Sequence, residues 1–98
     1  MYEIKKTIEF DVWLMGIRDA SVRNRLLARL RKVTLGNFGD ISSVGDGVWE
    51  MREHFGAGWR MYFARYEKVV VLMLGGGSKS SQNMDIKQAK KLLHQLED

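Results

Sequence analysis

Between Val48 and Tyr66 the sequence gathers reactive groups on one side of an extended chain. Taken as a strand, Val48 to Phe55 sets Val48, Glu50, Arg52 and His54 against Trp49, Met51, Glu53 and Phe55, because successive side chains point to opposite faces. Phe55-Gly56-Ala57-Gly58 is a link of hairpin length. Trp59 to Tyr66 then sets Arg60, Tyr62 and Ala64 against Trp59, Met61 and Phe63. Pairing the two strands brings Glu50, Arg52, His54, Arg60 and Tyr62 onto one surface. These are the group types that metal-free phosphodiester cleavage needs: a base for a hydroxyl proton, cations for the crowded phosphorane, and an acid for the departing oxygen. The plainer alternative is an exposed Glu50–Arg52 ion pair contributing about 0.2–1 kcal/mol.

The elements that must position this surface follow from periodicity. Val69 to Leu74 is an unbroken apolar run, the signature of a strand buried on both faces. Gly75 to Ser81, GGGSKSS, follows as a glycine loop carrying Lys79, and a helix runs from Gln82 or Asn83 to Leu96. Ile86, Ala89, Leu93 and Leu96 form that helix's apolar stripe, with Lys87, Lys90 and Lys91 beside it. A strand, a glycine loop with a lysine and a helix start can cradle an anion. The Walker pattern fails, since Lys79 follows Ser78 rather than glycine. At the other end, Met1 to Lys6 alternates as a short strand, able to pair parallel with the meander. Thr7 caps a first helix ending near Gly16, and Asp19 or Ser21 caps a second helix running to about Leu35. The two make a helical hairpin that covers Trp49, Met51, Trp59, Met61 and Phe63. Asn37 to Gly47 reads as a loop or weak strand.

The second helix carries Arg23, Arg25, Arg29, Arg31 and Lys32, with Arg18 just before it. With Lys87, the set Arg23, Arg25, Arg29 and Lys32 is a candidate phosphate-binding surface, against the alternative of a solvated basic face. The tryptophans Trp13, Trp49 and Trp59 fall in core phase rather than on a stacking face.

Ninety-eight residues, 45% of them apolar, suit one domain spanning residues 1–98. A net charge of +4 favours an anionic partner. The absence of cysteine excludes a disulfide framework, a thiol nucleophile and thiolate metal ligation. His54 and His94 are the two histidines and have no ligand spacing, so neither a metal site nor a cofactor is expected. The N-terminus lacks the apolar core of a signal peptide and no apolar stretch reaches membrane-spanning length, which points to a soluble, cytoplasmic protein.

The order strand, helical hairpin, antiparallel meander and C-terminal helix resembles the RelE/ParE superfamily of type II toxin–antitoxin toxins, especially its HigB-like addiction-module killer branch. The carriers are LGNFGD at Leu35 to Asp40, VWEMR at Val48 to Arg52, GAGWRMYF at Gly56 to Phe63, and GGGSKSSQNMDIKQA at Gly75 to Ala89. The resemblance covers nearly the whole chain. It implies an α+β, RelE-like fold: an N-terminal helical hairpin packed on a four- or five-stranded, mainly antiparallel sheet, with a C-terminal helix. It implies a ribosome-dependent mRNA endonuclease that inhibits translation, acting without cofactor on the ribosome and mRNA. The partner it implies is a cognate antitoxin, a small helix-turn-helix protein. By the same resemblance Arg60 meets the scissile phosphate, Arg52 and Lys79 occupy basic catalytic positions, and Glu50 is the candidate base. The position that often holds a tyrosine acid carries Met84, Asp85 and Ile86 instead, so His54 or Tyr62 is the candidate acid. A ParE-like gyrase poison without nuclease chemistry, or a basic protein-binding module, is the alternative, since fold does not set function.

Overall fold

Thr7 ends one element and begins the next. In the computed structural model, which describes residues 1–67 and 69–97, its hydroxyl accepts from the Phe10 amide at 3.1 Å and lies 2.9 Å from the Met73 carbonyl, to which it donates. The first contact satisfies a free amide of helix α1 (Ile8–Met15), and the second ties the cap to the sheet. Before it runs strand β1 (Glu3–Lys6). Asp19 caps helix α2 (Ala20–Thr34) by accepting from the Ser21 amide at 2.9 Å. The meander follows as β2 (Ile41–Gly45), β3 (Val48–Arg52), β4 (Arg60–Tyr66) and β5 (Val70–Gly77). A short turn of 3-10 helix, Lys79–Ser81, leads into α3 (Gln82–Glu97).

The five strands form one sheet in the order β1-β5-β4-β3-β2. β1 lies parallel to β5, and the remaining pairs are antiparallel. The crossover through α1 and α2 makes the parallel pairing possible. The protein is thus α+β, with a helical hairpin and a C-terminal helix on opposite faces of a five-stranded, mainly antiparallel sheet. On one face, Phe10, Leu14, Ile17, Leu26, Leu30 and Val33 of the hairpin segment pack on Met51, Met61, Phe63, Val71 and Met73, with Trp13, Trp49 and Trp59 at the margin. On the other, Ala89 and Leu93 of α3 cover Val48, Tyr62, Ala64 and Leu74. Among the described residues no helix is long and apolar enough to cross a membrane.

Two elements differ from the sequence expectation, and a third, Asn37 to Gly47, takes the weak-strand alternative that the sequence left open. β3 ends at Arg52, so His54 and Phe55 leave the sheet and the alternation that grouped His54 with Glu50 stops short of it. Asn37 to Gly47 contains β2, an edge strand. The glycines expected to form a loop belong instead to β5, for a steric reason. A Cβ on Gly76 would lie 2.4 Å from the Trp13 ring, and one on Gly77 would lie 1.8 Å from the Asp85 carboxylate. The strand is stripped of side chains so that α1 and α3 can close on it from either face.

Candidate functional site

The register of β3 and β4 pairs Glu50 with Tyr62 and Arg52 with Arg60. All four point to the face shared with α3, as the alternation requires. α3 covers the Tyr62 end of this patch and leaves the Arg52 end open. Glu50 and Tyr62 are consequently enclosed, each with no solvent exposure.

An enclosed carboxylate must be paired and hydrogen-bonded, and Glu50 is. Its Oε1 accepts from Arg52 Nε at 2.8 Å. Its Oε2 accepts from Gln82 Nε2 at 2.8 Å and from the Tyr62 hydroxyl at 3.3 Å. Arg60 Nε stands 3.4 Å from the same oxygen, within ion-pair range. The geometry is not that of a hydrogen bond, however, and this nitrogen is buried without a hydrogen-bond partner. Arg60 is fixed instead through Nη1, which donates to the Gly58 carbonyl at 2.8 Å. Two guanidinium groups thus share one carboxylate, with Arg60 13% and Arg52 40% exposed along the side chain.

The ionisation of the partners follows from this arrangement. Burial, then the Glu50 charge and hydrogen bond, push the Tyr62 phenol well above its ordinary range. The hydrogen bond from Arg52 to Glu50 and the charge of that carboxylate hold the guanidinium more firmly protonated.

Lys79 sits at the mouth of the cluster. Its amide donates to the Ala57 carbonyl at 3.2 Å. Its Cβ and Arg60 Nη1 lie 3.2 and 3.3 Å from where a Gly58 side chain would begin, which places the lysine backbone beside the guanidinium. The structure therefore brings together Glu50, Arg52, Arg60 and Tyr62, with the backbone of Lys79 beside them. Lys87 is exposed farther along α3, in the lining of a depression of about 530 Å³ that Lys79, Gln82 and Asn83 also line.

His54 does not join them. It stands at the end of the β3–β4 connection, exposed, with Nε2 2.6 Å from Asp40 Oδ2. The hydrogen bond between them is the main reason that the Asp40 carboxyl is held below its ordinary value. Three of the helix α2 arginines, Arg23, Arg25 and Arg29, have partners within the fold. Arg29 donates to the carbonyls of Phe38, Asp40 and Arg52 and to Glu53 Oε1 at 2.5 Å, with its side chain 10% exposed. It bolts α2 to the sheet edge. Arg23 donates to the Ile17 carbonyl, and the Arg25 guanidinium stacks 3.7 Å from the centre of the Phe55 ring. Lys32 is exposed.

Gln82 and Asp40 escaped sequence reasoning. Gln82 was legible as a helix start, but nothing in its neighbourhood signals that its amide reaches a strand residue 32 positions away. Among the described residues no three His, Asp or Glu side chains are grouped to hold a metal ion.

The chain is 44% identical over 94 residues to an uncharacterized protein of Haemophilus influenzae, covering 96% of this chain and 95% of that one, and it belongs to the same family. No family model matches the chain, and no solved structure matches it.

Proposed function

We propose that this protein is a RelE/ParE-like toxin of a type II toxin–antitoxin pair and acts in the cytoplasm as a ribosome-dependent mRNA endonuclease. The observation that carries the proposal is the clamp on Glu50. It presents Arg52 and Arg60 from paired strand positions with Lys79 alongside, a cation cluster shaped for one phosphate. In this mechanism the RNA 2′-oxygen attacks the adjacent phosphorus and the bond from phosphorus to the 5′-oxygen breaks. The products are a 2′,3′-cyclic phosphate and a 5′-hydroxyl. Arg60 and Lys79 stabilise the charge that develops on the phosphorane, and Arg52 extends the cationic rim.

Enclosure changes the part assigned to Glu50. A carboxylate with no exposure that engages Arg52, Arg60, Tyr62 and Gln82 orients cations rather than reaching a substrate hydroxyl. Tyr62, buried and hard to ionise, helps hold that carboxylate. His54 is exposed, paired with Asp40 and set apart from this cluster, so proton transfer from the 2′-hydroxyl and to the 5′-oxygen falls in this mechanism to groups of the ribosome.

The same enclosure favours a second reading, in which the cations bind a target without chemistry, as a gyrase poison or a basic protein-binding module would. A parallel assay separates the readings: message cleavage on programmed ribosomes, and gyrase supercoiling, with the same preparation. Cleaved message with unaffected gyrase is expected; intact message with inhibited gyrase reverses the ranking. The partner in this proposal is a cognate antitoxin, a small helix-turn-helix protein with an acidic segment that covers Arg52, Arg60 and Lys79. Co-expression should restore growth and co-purify the pair.

A further inference from the structure

Helix α1 presents apolar residues to solvent as well as to the core. Ile8, Val12 and Met15 recur at i, i+4 and i+7, on the side away from Phe10 and Leu14, and are 79%, 68% and 70% exposed. A surface helix ordinarily keeps its apolar residues to one inward stripe, whereas a helix apolar all round belongs in an interior. Single exposed apolar residues need no explanation. Three on adjacent turns form one contiguous apolar patch, and contiguous exposed patches mark interaction sites once they exceed a few hundred Å². The patch continues past Gly16 into a depression of about 540 Å³ lined by Val12, Trp13, Ile17, Arg18 and Trp59, where the two indole rings lie 6.4 Å apart.

The charge of helix α1 itself is opposite to that of the molecule. α1 carries Glu9 and Asp11 and no basic residue, and Asp19 stands at the far rim beside Arg18, on a chain of net charge +4. We infer that α1 docks an amphipathic helix of another protein, whose apolar stripe is flanked by lysine or arginine. Apolar anchors at i, i+4 and i+7 suit helix-against-helix recognition, and basic flanks meet Glu9 and Asp11. A second copy of this chain fits worse, because a two-fold pairing through α1 sets those carboxylates against their own copies with no cation on the helix between them. The surface lies on the hairpin side of the sheet, and Glu50, Arg52 and Arg60 face the other side. The partner therefore sits on α1 without covering the cations, and the inference stands apart from the proposed nuclease function.

The test uses the whole purified protein and two synthetic helical peptides with the same leucine stripe, one flanked by lysines and one by glutamates. Tryptophan emission is followed, since Trp13 and Trp59 line the depression. Each affinity is scored as the part lost on Val12→Ser, which removes any binding at the cationic face. The lysine-flanked peptide should bind at least ten-fold tighter than the glutamate-flanked one, and Asp11→Lys should reverse that preference while the melting temperature of Val12→Ser stays unchanged. Equal binding of the two peptides, or binding indifferent to Val12→Ser, overturns the inference. So does a sedimentation mass of two chains that falls to one on Val12→Ser, because the occupant is then a second copy.

Discussion

Gln82 and Glu50, 32 positions apart, are joined by a hydrogen bond in which the amide Nε2 of one donates to Oε2 of the other at 2.8 Å. The first residue of α3 is thereby latched to the carboxylate that orients Arg52 and Arg60. Gln82→Ala removes one donor from a buried acceptor and should lower stability by about 1–3 kcal/mol in urea unfolding. Gln82→Glu sets two carboxylates together and should lower it further. Glu50→Ala strips the shared partner from two arginines and should lose about 3–5 kcal/mol, so reduced activity in that variant would report on folding. Wild-type stability in Gln82→Ala would mean that the latch has no energetic role.

Arg29 should behave as a structural residue. Arg29→Ala takes this donor from the Phe38 and Arg52 carbonyls and from Glu53, while the Asp40 carbonyl keeps the Arg52 amide, and a loss of about 3 kcal/mol is expected. Lys32→Ala, on the exposed side of the same helix, should leave denaturant midpoints unchanged. If Arg29→Ala keeps full stability and instead weakens ribosome binding in a salt-dependent way, the phosphate-binding assignment made from sequence is restored.

Tyr62 gives the protein an alkaline limit. The folded-state phenol titrates above its ordinary value of 10.0, so beyond about pH 10 the unfolded chain releases this proton while the folded one retains it. Stability from this group is complete below pH 10 and declines as pH rises, with a slope approaching about 1.4 kcal/mol per pH unit. Tyr62→Phe should flatten that decline relative to wild type in unfolding measured between pH 9 and about pH 11. Parallel curves for the two proteins would show that the hydroxyl ionises as freely in the fold as outside it.

Gly76 should tolerate no side chain. Its missing Cβ is replaced by the Trp13 ring, so Gly76→Ala forces overpacking and should cost about 1–3 kcal/mol. In a Trp13→Leu background the same substitution should cost less, and a double-mutant cycle of unfolding energies measures the difference. No coupling between the two positions would place the strain elsewhere.

Local rules carried far in this chain, and long-range polar partners escaped them. Period-two alternation was enough to put Glu50, Arg52, Arg60 and Tyr62 on one face, and capping chemistry placed Thr7 at one helix start and Asp19 or Ser21 at the next, where the cap is Asp19. The same alternation carried His54 two residues past the end of its strand, because nothing local marks Arg52 as the last paired residue. Gly75 to Gly77 read as a loop because glycine's lack of a side chain signals turns and close packing alike, and the Trp13 ring that needs the space at Gly76 lies far away in sequence. Arg29 looked like one of several surface arginines because its acceptors are 9 to 24 positions distant. The enclosure of Glu50 likewise depends on how α3 lies across the sheet.

The central claim is that the cations held by Glu50 act on an RNA phosphate attacked by its own 2′-hydroxyl. Programmed ribosomes carrying a message with one 2′-deoxynucleotide at the cleavage position, beside the all-ribose message, test it most directly. The all-ribose message should be cut to a fragment ending in a 2′,3′-cyclic phosphate, and the deoxy message should stay intact. Arg60→Ala should slow cutting on the order of a hundred-fold or more, with an unchanged circular dichroism spectrum. Cutting of the deoxy message, a 3′-hydroxyl end, or full activity in Arg60→Ala would contradict the account.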